Sequence, residues 1–197
     1  MKLFKNIKKW LENQEHLFYL FLLILIVPNI ILCFTEPMPV VAKVCNVLLP
    51  FAFYYLLMTL SRNCGKMFWI LFLFIFFGAF QIVLLYLFGQ SIIAVDMFLN
   101  LVTTNSSEAM ELLDNLVPAL VSVIILYIPA LILAAISIIK KRKLSPEFIR
   151  RERKKAWIVL LIGLISLGAA YGLDKRYELK SDLYPANVCY NLSLIHI

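Results

Sequence analysis

A segment between two long apolar runs carries the polar side chains best suited to chemistry. Four of them recur at every fourth position: Asp96, Asn100, Thr104 and Glu108. That spacing places them roughly along one face of a helix. The surrounding residues are apolar enough to be buried, and polar side chains in such a setting need protein or ligand partners. The pattern predicts a binding site on this face, and a helix lying on the membrane surface is an equal alternative.

The alternative explains the last part of the segment well. Asn105 and Glu108 have the spacing of a capping box, in which the two side chains satisfy backbone N–H groups at the start of a helix. This favours a helix on the outer side of the membrane, between the third and fourth apolar runs. The three polar residues before Asn105 are explained less well by a surface helix, so both interpretations stay open.

The composition is that of an integral membrane protein. Hydrophobic residues make up 62% of the chain and its mean hydropathy is +0.88, which effectively excludes a water-soluble fold. Several apolar runs are near the roughly 20 residues that cross the hydrocarbon core of a bilayer. We predict an all-α integral membrane protein with five transmembrane helices. The predicted spans are residues 17–34, 40–60, 67–88, 116–139 and 156–173.

Basic residues are concentrated on one side of these spans. Fifteen of the nineteen Lys and Arg residues lie before the first span, after the second, or in the loop 140–155. The positive-inside rule then predicts N-in and C-out topology. It also attributes the net charge of +7 to topology and lipid head groups. We therefore expect membrane lipids, and not nucleic acid, as partners.

The remaining segments complete the predicted organisation. Residues 1–15 are predicted to form an amphipathic helix on the inner leaflet, because one face is apolar and most lysines lie on the other. No small-x-small cleavage site follows the first span, so an uncleaved anchor is expected. Residues 16–173 form the five-span membrane domain, and residues 174–191 begin a periplasmic linker.

The order of the five predicted spans, their topology and one short sequence motif together resemble a known family. The string N-x-x-x-T-x-x-x-E followed by Ala is similar to that in the membrane domain of lipid A phosphoethanolamine transferases, which include the mobile colistin-resistance enzymes. Asn100, Thr104 and Glu108 match it position for position. The stretch Tyr184-Pro185-Ala186-Asn187 is similar to the one with which such chains leave the membrane domain. The resemblance covers essentially residues 1–191.

The resemblance implies a function and a location. Asn100, Thr104 and Glu108 would help to bind the phosphoethanolamine donor, with Asp96 and Asn105 as possible supporting residues. The enzyme would lie in the bacterial inner membrane and move phosphoethanolamine from phosphatidylethanolamine to lipid A or a related glycan, through a zinc-activated threonine. This modification lowers the negative surface charge that polymyxins and other cationic peptides use.

Neither the nucleophile nor the zinc is expected in this chain. The only histidines are His16 and His196, which leaves no cluster with metal-site spacing. Zinc is therefore expected in a missing catalytic domain of the alkaline-phosphatase type. Residues 192–197 resemble a translated transposase adapter from sequencing libraries, so we expect a fragment that is inactive alone.

Two other hypotheses stay open. The first is a stand-alone membrane scaffold or transporter subunit that uses the face from Asp96 to Glu108. No buried charge pair in a span and no inverted repeat supports transport. The second is the anchor of a phosphoglycerol transferase, against which the Glu108 carboxylate favours a cationic head group.

Overall fold

The computed structural model describes residues 10–88 and 106–194, and every regular element in these ranges is an α-helix. Four helices are long and apolar enough to cross a membrane, and a bent pair supplies a fifth candidate. The prediction of an all-α fold is therefore confirmed for the described residues, with four or five helices that could span a membrane. The helices are α1 (Gln14–Thr35), α2 (Val40–Met58), α3 (Cys64–Ile70), α4 (Phe72–Phe88), α5 (Ser106–Ile139), α6 (Pro146–Leu173), α7 (Leu179–Asp182) and α8 (Ala186–Leu194).

Side-chain caps fix where three of these helices begin. The Asn13 side chain accepts the Glu15 N–H at 2.9 Å before α1, and the Asn63 side chain accepts the Lys66 N–H at 2.8 Å before α3. Ser145 accepts the Phe148 N–H at 3.1 Å before α6, which has proline in its first turn. These short polar residues satisfy N–H groups that have no partner inside the helix.

The connections α2–α3 and α5–α6 meet at one end of the bundle, which we call the basic end. The Leu144 N–H donates to the Arg62 carbonyl at 2.7 Å, and Arg62 Nε donates back to the Leu144 carbonyl at 3.0 Å. Asn63 Nδ2 donates to the Arg142 carbonyl at 3.0 Å. The two basic loops that the sequence assigns to the same side are thus bonded to each other.

Aromatic side chains fill the core between the helices. Phe21 and Phe68 stack with ring centroids 4.4 Å apart, and Phe18 meets Phe148 edge to face at 5.4 Å. All four are buried, whereas Ile125 is 68% exposed on the outer surface of the bundle. Lipid chains are as apolar as these side chains, so close packing contributes more to helix association here than hydrophobic burial does.

The third predicted span is broken. The sequence predicts one run over residues 67–88, but α3 starts at Cys64 and meets α4 at an angle of 62°. The break lies at Leu71, whose φ of −81° and ψ of 11° depart from helical values. Leu71 is buried and is neither proline nor glycine, so the usual sequence signal for a kink is missing.

The fourth candidate span has the predicted bounds, Leu116–Ile139, whereas the fifth is longer than predicted. Helix α5 is continuous over 34 residues, so residues 106–115 belong to the same helix as the fourth span and do not form a helix of their own. A separate helix between spans three and four could lie only in residues 89–105, which are outside the described part. Helix α6 starts at Pro146, ten residues before the predicted start, and includes ten of the sixteen residues of the basic loop 140–155.

The predicted amphipathic helix at the amino terminus lies largely outside the description. Residues 1–9 belong to the part of the chain that is not described, and residues 10–12 are helical. Trp10 stacks on His16 with ring centroids 4.9 Å apart, and Arg142 Nη1 donates to the Glu12 carbonyl at 3.3 Å. The end of this segment is therefore bonded to the basic end of the bundle.

We predict that Gly65→Ala destabilises the bundle while Gly168→Ala does not. A Cβ at Gly65 would clash with the Ala134 carbonyl oxygen, which is backbone and cannot move away alone. A Cβ at Gly168 meets nothing within 4 Å. Overpacking of this kind costs about 1–3 kcal/mol.

Thermal unfolding in detergent, followed by loss of monodisperse protein, measures the effect. Gly65→Ala should lower the midpoint by several degrees, and Gly168→Ala should leave it unchanged or slightly higher. Equal midpoints for the two variants would show that α3 does not pack against α5 as described.

Candidate functional site

The residues predicted from the sequence fall mostly outside the described part of the chain. Asp96, Asn100, Thr104 and Asn105 all lie in residues 89–105. Glu108 belongs to α5, and its side chain is also outside the description. Helix geometry places its backbone about 12 Å along the axis from Leu116, where the predicted fourth span begins. How the five side chains are arranged relative to each other stays a prediction.

A cluster of buried amides and tyrosines lies at the end of the bundle opposite the basic end. We call Asn29, Asn46, Tyr177, Asp182 and Tyr184 the amide cluster. Asn29 Nδ2 donates to the carbonyls of Asn46 at 3.0 Å and Tyr184 at 2.7 Å. Asn46 Nδ2 donates to the Asp182 carbonyl at 2.6 Å, and Asn46 Oδ1 accepts the Tyr177 hydroxyl at 2.7 Å. Two amides inside membrane helices thus hold the chain that follows α6.

The chemistry of this cluster is structural. Burial raises the pKa of the Tyr177 phenol well above its ordinary value, so the phenol keeps its proton and donates to Asn46. Each amide N–H group donates a hydrogen bond to a backbone carbonyl, which would otherwise be unpaired in an apolar setting without water. Asn29 Oδ1 is the exception: it is buried without a hydrogen-bond partner in the described structure.

The segment after α7 is inserted between α1 and α4. Tyr184 and Val188 are buried against Leu32, Leu84 and Leu85. The Tyr184 hydroxyl donates to the Phe74 carbonyl of α4 at 3.2 Å. The sequence interpretation of residues 174–191 as the start of a linker did not anticipate this docking.

A single buried carboxylate organises the basic end. Glu152 on α6 has no exposed surface, and it accepts hydrogen bonds from Tyr55, from Arg151 Nε at 2.9 Å and from Lys155 Nζ at 2.9 Å. Arg153 Nη2 donates to the Thr59 carbonyl at 2.6 Å and ties the same turn of α6 to the end of α2. The negative charge of Glu152 is compensated by Arg151 and Lys155 within the protein, so this side chain has a structural role.

Sequence reasoning missed both the amide cluster and Glu152. The available signals were Asn29 and Asn46 within apolar runs, and one Glu within the run R-R-E-R-K-K. Polar residues inside spans are expected to have a named partner. The partners here are up to 155 residues away along the chain, so no local pattern shows them.

The described residues offer no place for a metal. No three His, Cys, Asp or Glu side chains among them come together as a metal site requires. The family resemblance places zinc in a separate catalytic domain, and we derive no chemical step through it.

No protein-family model, no curated protein and no solved structure matches this chain.

We predict that Asn46→Leu destabilises the protein strongly, because it removes the partners of both the Tyr177 hydroxyl and the Asp182 carbonyl. Leaving one buried polar group unpaired costs about 1–3 kcal/mol. Tyr177→Phe should cost less, and the double variant should be less destabilised than the sum of the two single variants. Ser122→Ala is the control, since that exposed hydroxyl bonds only to Pro118 of its own helix. Additive midpoint shifts in thermal unfolding would contradict the coupling.

Proposed function

We propose that this chain is the membrane domain of an enzyme that transfers phosphoethanolamine from phosphatidylethanolamine to lipid A or a related envelope glycan. In this proposal the chain contributes donor binding through Asn100, Thr104 and Glu108, flanked by Asp96 and Asn105. The observation that carries it is the string N-x-x-x-T-x-x-x-E, which ends in the first turn of a membrane-spanning helix.

The length of α5 supports a head-group position for Glu108. From Glu108 to Ile139 the helix is about 46 Å long, and a bilayer with its head groups is about 40–45 Å thick. Ile139 directly precedes the basic loop, which belongs at one membrane surface. Glu108 then lies near the head groups of the other leaflet, at the depth of an ethanolamine ammonium.

The residue types suit that ligand. A carboxylate pairs with the ammonium group of ethanolamine, and an amide and a hydroxyl donate hydrogen bonds to phosphate oxygens without adding negative charge. A phosphoglycerol head group has no ammonium, so Glu108 favours phosphoethanolamine. Such a site binds and orients the donor, and the nucleophile and zinc would come from a catalytic domain beyond this chain.

The proposal includes the finer topology. The basic end would face the cytoplasm of a bacterium, and α7 and α8 would lie at the periplasmic surface of the inner membrane. The docking of Tyr184 and Val188 supports a fixed starting point for a periplasmic domain, since a docked segment moves less than a free linker.

Reporter fusions test this topology. Alkaline phosphatase joined after Leu194 should be active, and green fluorescent protein joined at Met1 should fluoresce in cells. Swapping the two reporters provides the control, because each works on only one side of the membrane. Active alkaline phosphatase at Met1 would contradict N-in topology.

We predict that Glu108→Ala in a complete parent gene abolishes most phosphoethanolamine transfer without lowering the amount of protein in the membrane. The reason is the loss of the ammonium partner, an interaction worth about 1.5–3 kcal/mol, or roughly a 10- to 150-fold loss of donor affinity. Glu111→Ala, three residues further along α5, is the matched control and should retain transfer. Mass spectra of lipid A measure both, and undiminished modification by Glu108→Ala would refute the assignment.

A further inference from the structure

A depression of about 520 Å³ lies beside the amide cluster. It is formed where the chain enters α2 and where it leaves α6. Its apolar part is lined by Met38, Pro39 and Leu173, and its polar part by Asp174, Arg176 and Asp182. A surface with an apolar part next to a charged part suits an amphiphilic ligand better than it suits an ion.

One oxygen of each carboxylate that lines the depression, Asp174 Oδ2 and Asp182 Oδ1, accepts no hydrogen bond from the described residues. Asp174 Oδ1 accepts the Arg176 backbone N–H at 2.9 Å, and Asp182 Oδ2 accepts the Glu178 N–H at 2.7 Å. These bonds fix both carboxylates in place and use one oxygen of each. The Arg176 guanidinium is exposed and pairs with no acid within residues 10–88 and 106–194.

The depression lies at the boundary between lipid chains and head groups. Val40 begins the membrane helix α2 and is 76% exposed, and Leu173 ends α6 and is 75% exposed. Such side chains belong in contact with lipid, while Asp174 and Arg176 follow directly in the sequence. A ligand here would have its apolar part against Leu173 and its polar part against the charges.

We propose that this depression binds the head group of a phospholipid with a primary ammonium, such as phosphatidylethanolamine. The ammonium pairs with the free oxygens of Asp174 and Asp182, and the phosphate pairs with Arg176. The net charge of the three side chains is negative, which disfavours phosphatidylglycerol. A trimethylated ammonium cannot donate hydrogen bonds, which disfavours phosphatidylcholine. This site is separate from residues 100–108 in sequence and does not rest on the proposed function.

Native mass spectrometry of the whole chain, released from detergent with one added phospholipid at a time, tests the proposal. Phosphatidylethanolamine should be retained with higher apparent affinity than phosphatidylglycerol or phosphatidylcholine of the same acyl composition. Arg176→Gln should weaken its retention roughly fivefold or more, because one charge-assisted hydrogen bond is lost. Asp182→Asn keeps an acceptor for the Glu178 N–H while removing the charge, and should weaken retention similarly.

Lys175→Gln is the matched control, since Lys175 is exposed next to Arg176 but does not line the depression. Unchanged retention in Arg176→Gln, or an equal loss in Lys175→Gln, would overturn the site. The measurements are repeated in Glu108→Ala protein, where the retention that depends on Arg176 should persist. If Glu108→Ala by itself removes that retention, the depression is not a separate site. If Glu108→Ala changes the retention of no lipid, the result counts against the proposed donor site and not against the depression.

Discussion

The hydrogen bonds of Asn46 are the constraint on which the end of the bundle opposite the basic loops depends. An unpaired amide inside a membrane helix is costly, because no water is available to replace its partners. Asn46 meets this requirement with Asp182 and Tyr177, which lie more than 130 residues further along the chain. The chain after α6 is therefore folded back over the ends of α1 and α2. Asp182 and Tyr177, which bond to Asn46, both line the depression beside it.

The opposite end is organised by charge. Glu152 draws Tyr55, Arg151 and Lys155 together, so α2 and α6 are joined at their ends. Removing such a carboxylate would leave the positive groups close together without compensation. Between the two ends the contacts are aromatic and close packed, and Gly65 brings α3 against the backbone of α5. Polar bonding at the ends and close packing in the middle is the arrangement that a lipid solvent favours.

Hydropathy and charge predicted the fold well, because the bilayer requires about 20 apolar residues for each span whatever their contacts are. The helix ends in the basic loops were harder to place, since α6 continues through residues whose charge resembles a loop. The bend at Leu71 and the docking of Tyr184 were not predictable, because both arise from contacts between distant parts of the chain.

The candidate site could be approached only through residue types and spacing. The four-residue repeat from Asp96 to Glu108 predicts a shared face, but a repeat cannot say which neighbours that face meets. The amide cluster shows the limit of such reasoning: Asn29 and Asn46 look like isolated polar residues in the sequence, and their partners become visible only in three dimensions.

The most direct test of the proposed function is photocrosslinking of the purified protein with a phosphatidylethanolamine that carries a diazirine next to its head group. We predict one group of mapped adducts between Asn100 and Glu108, separate from the adducts expected at the depression beside Arg176. Excess unlabelled phosphatidylethanolamine should suppress them, and phosphatidylglycerol should not. Adducts spread evenly along the lipid-facing surfaces of the spans, with no enrichment between Asn100 and Glu108, would contradict donor binding by this chain.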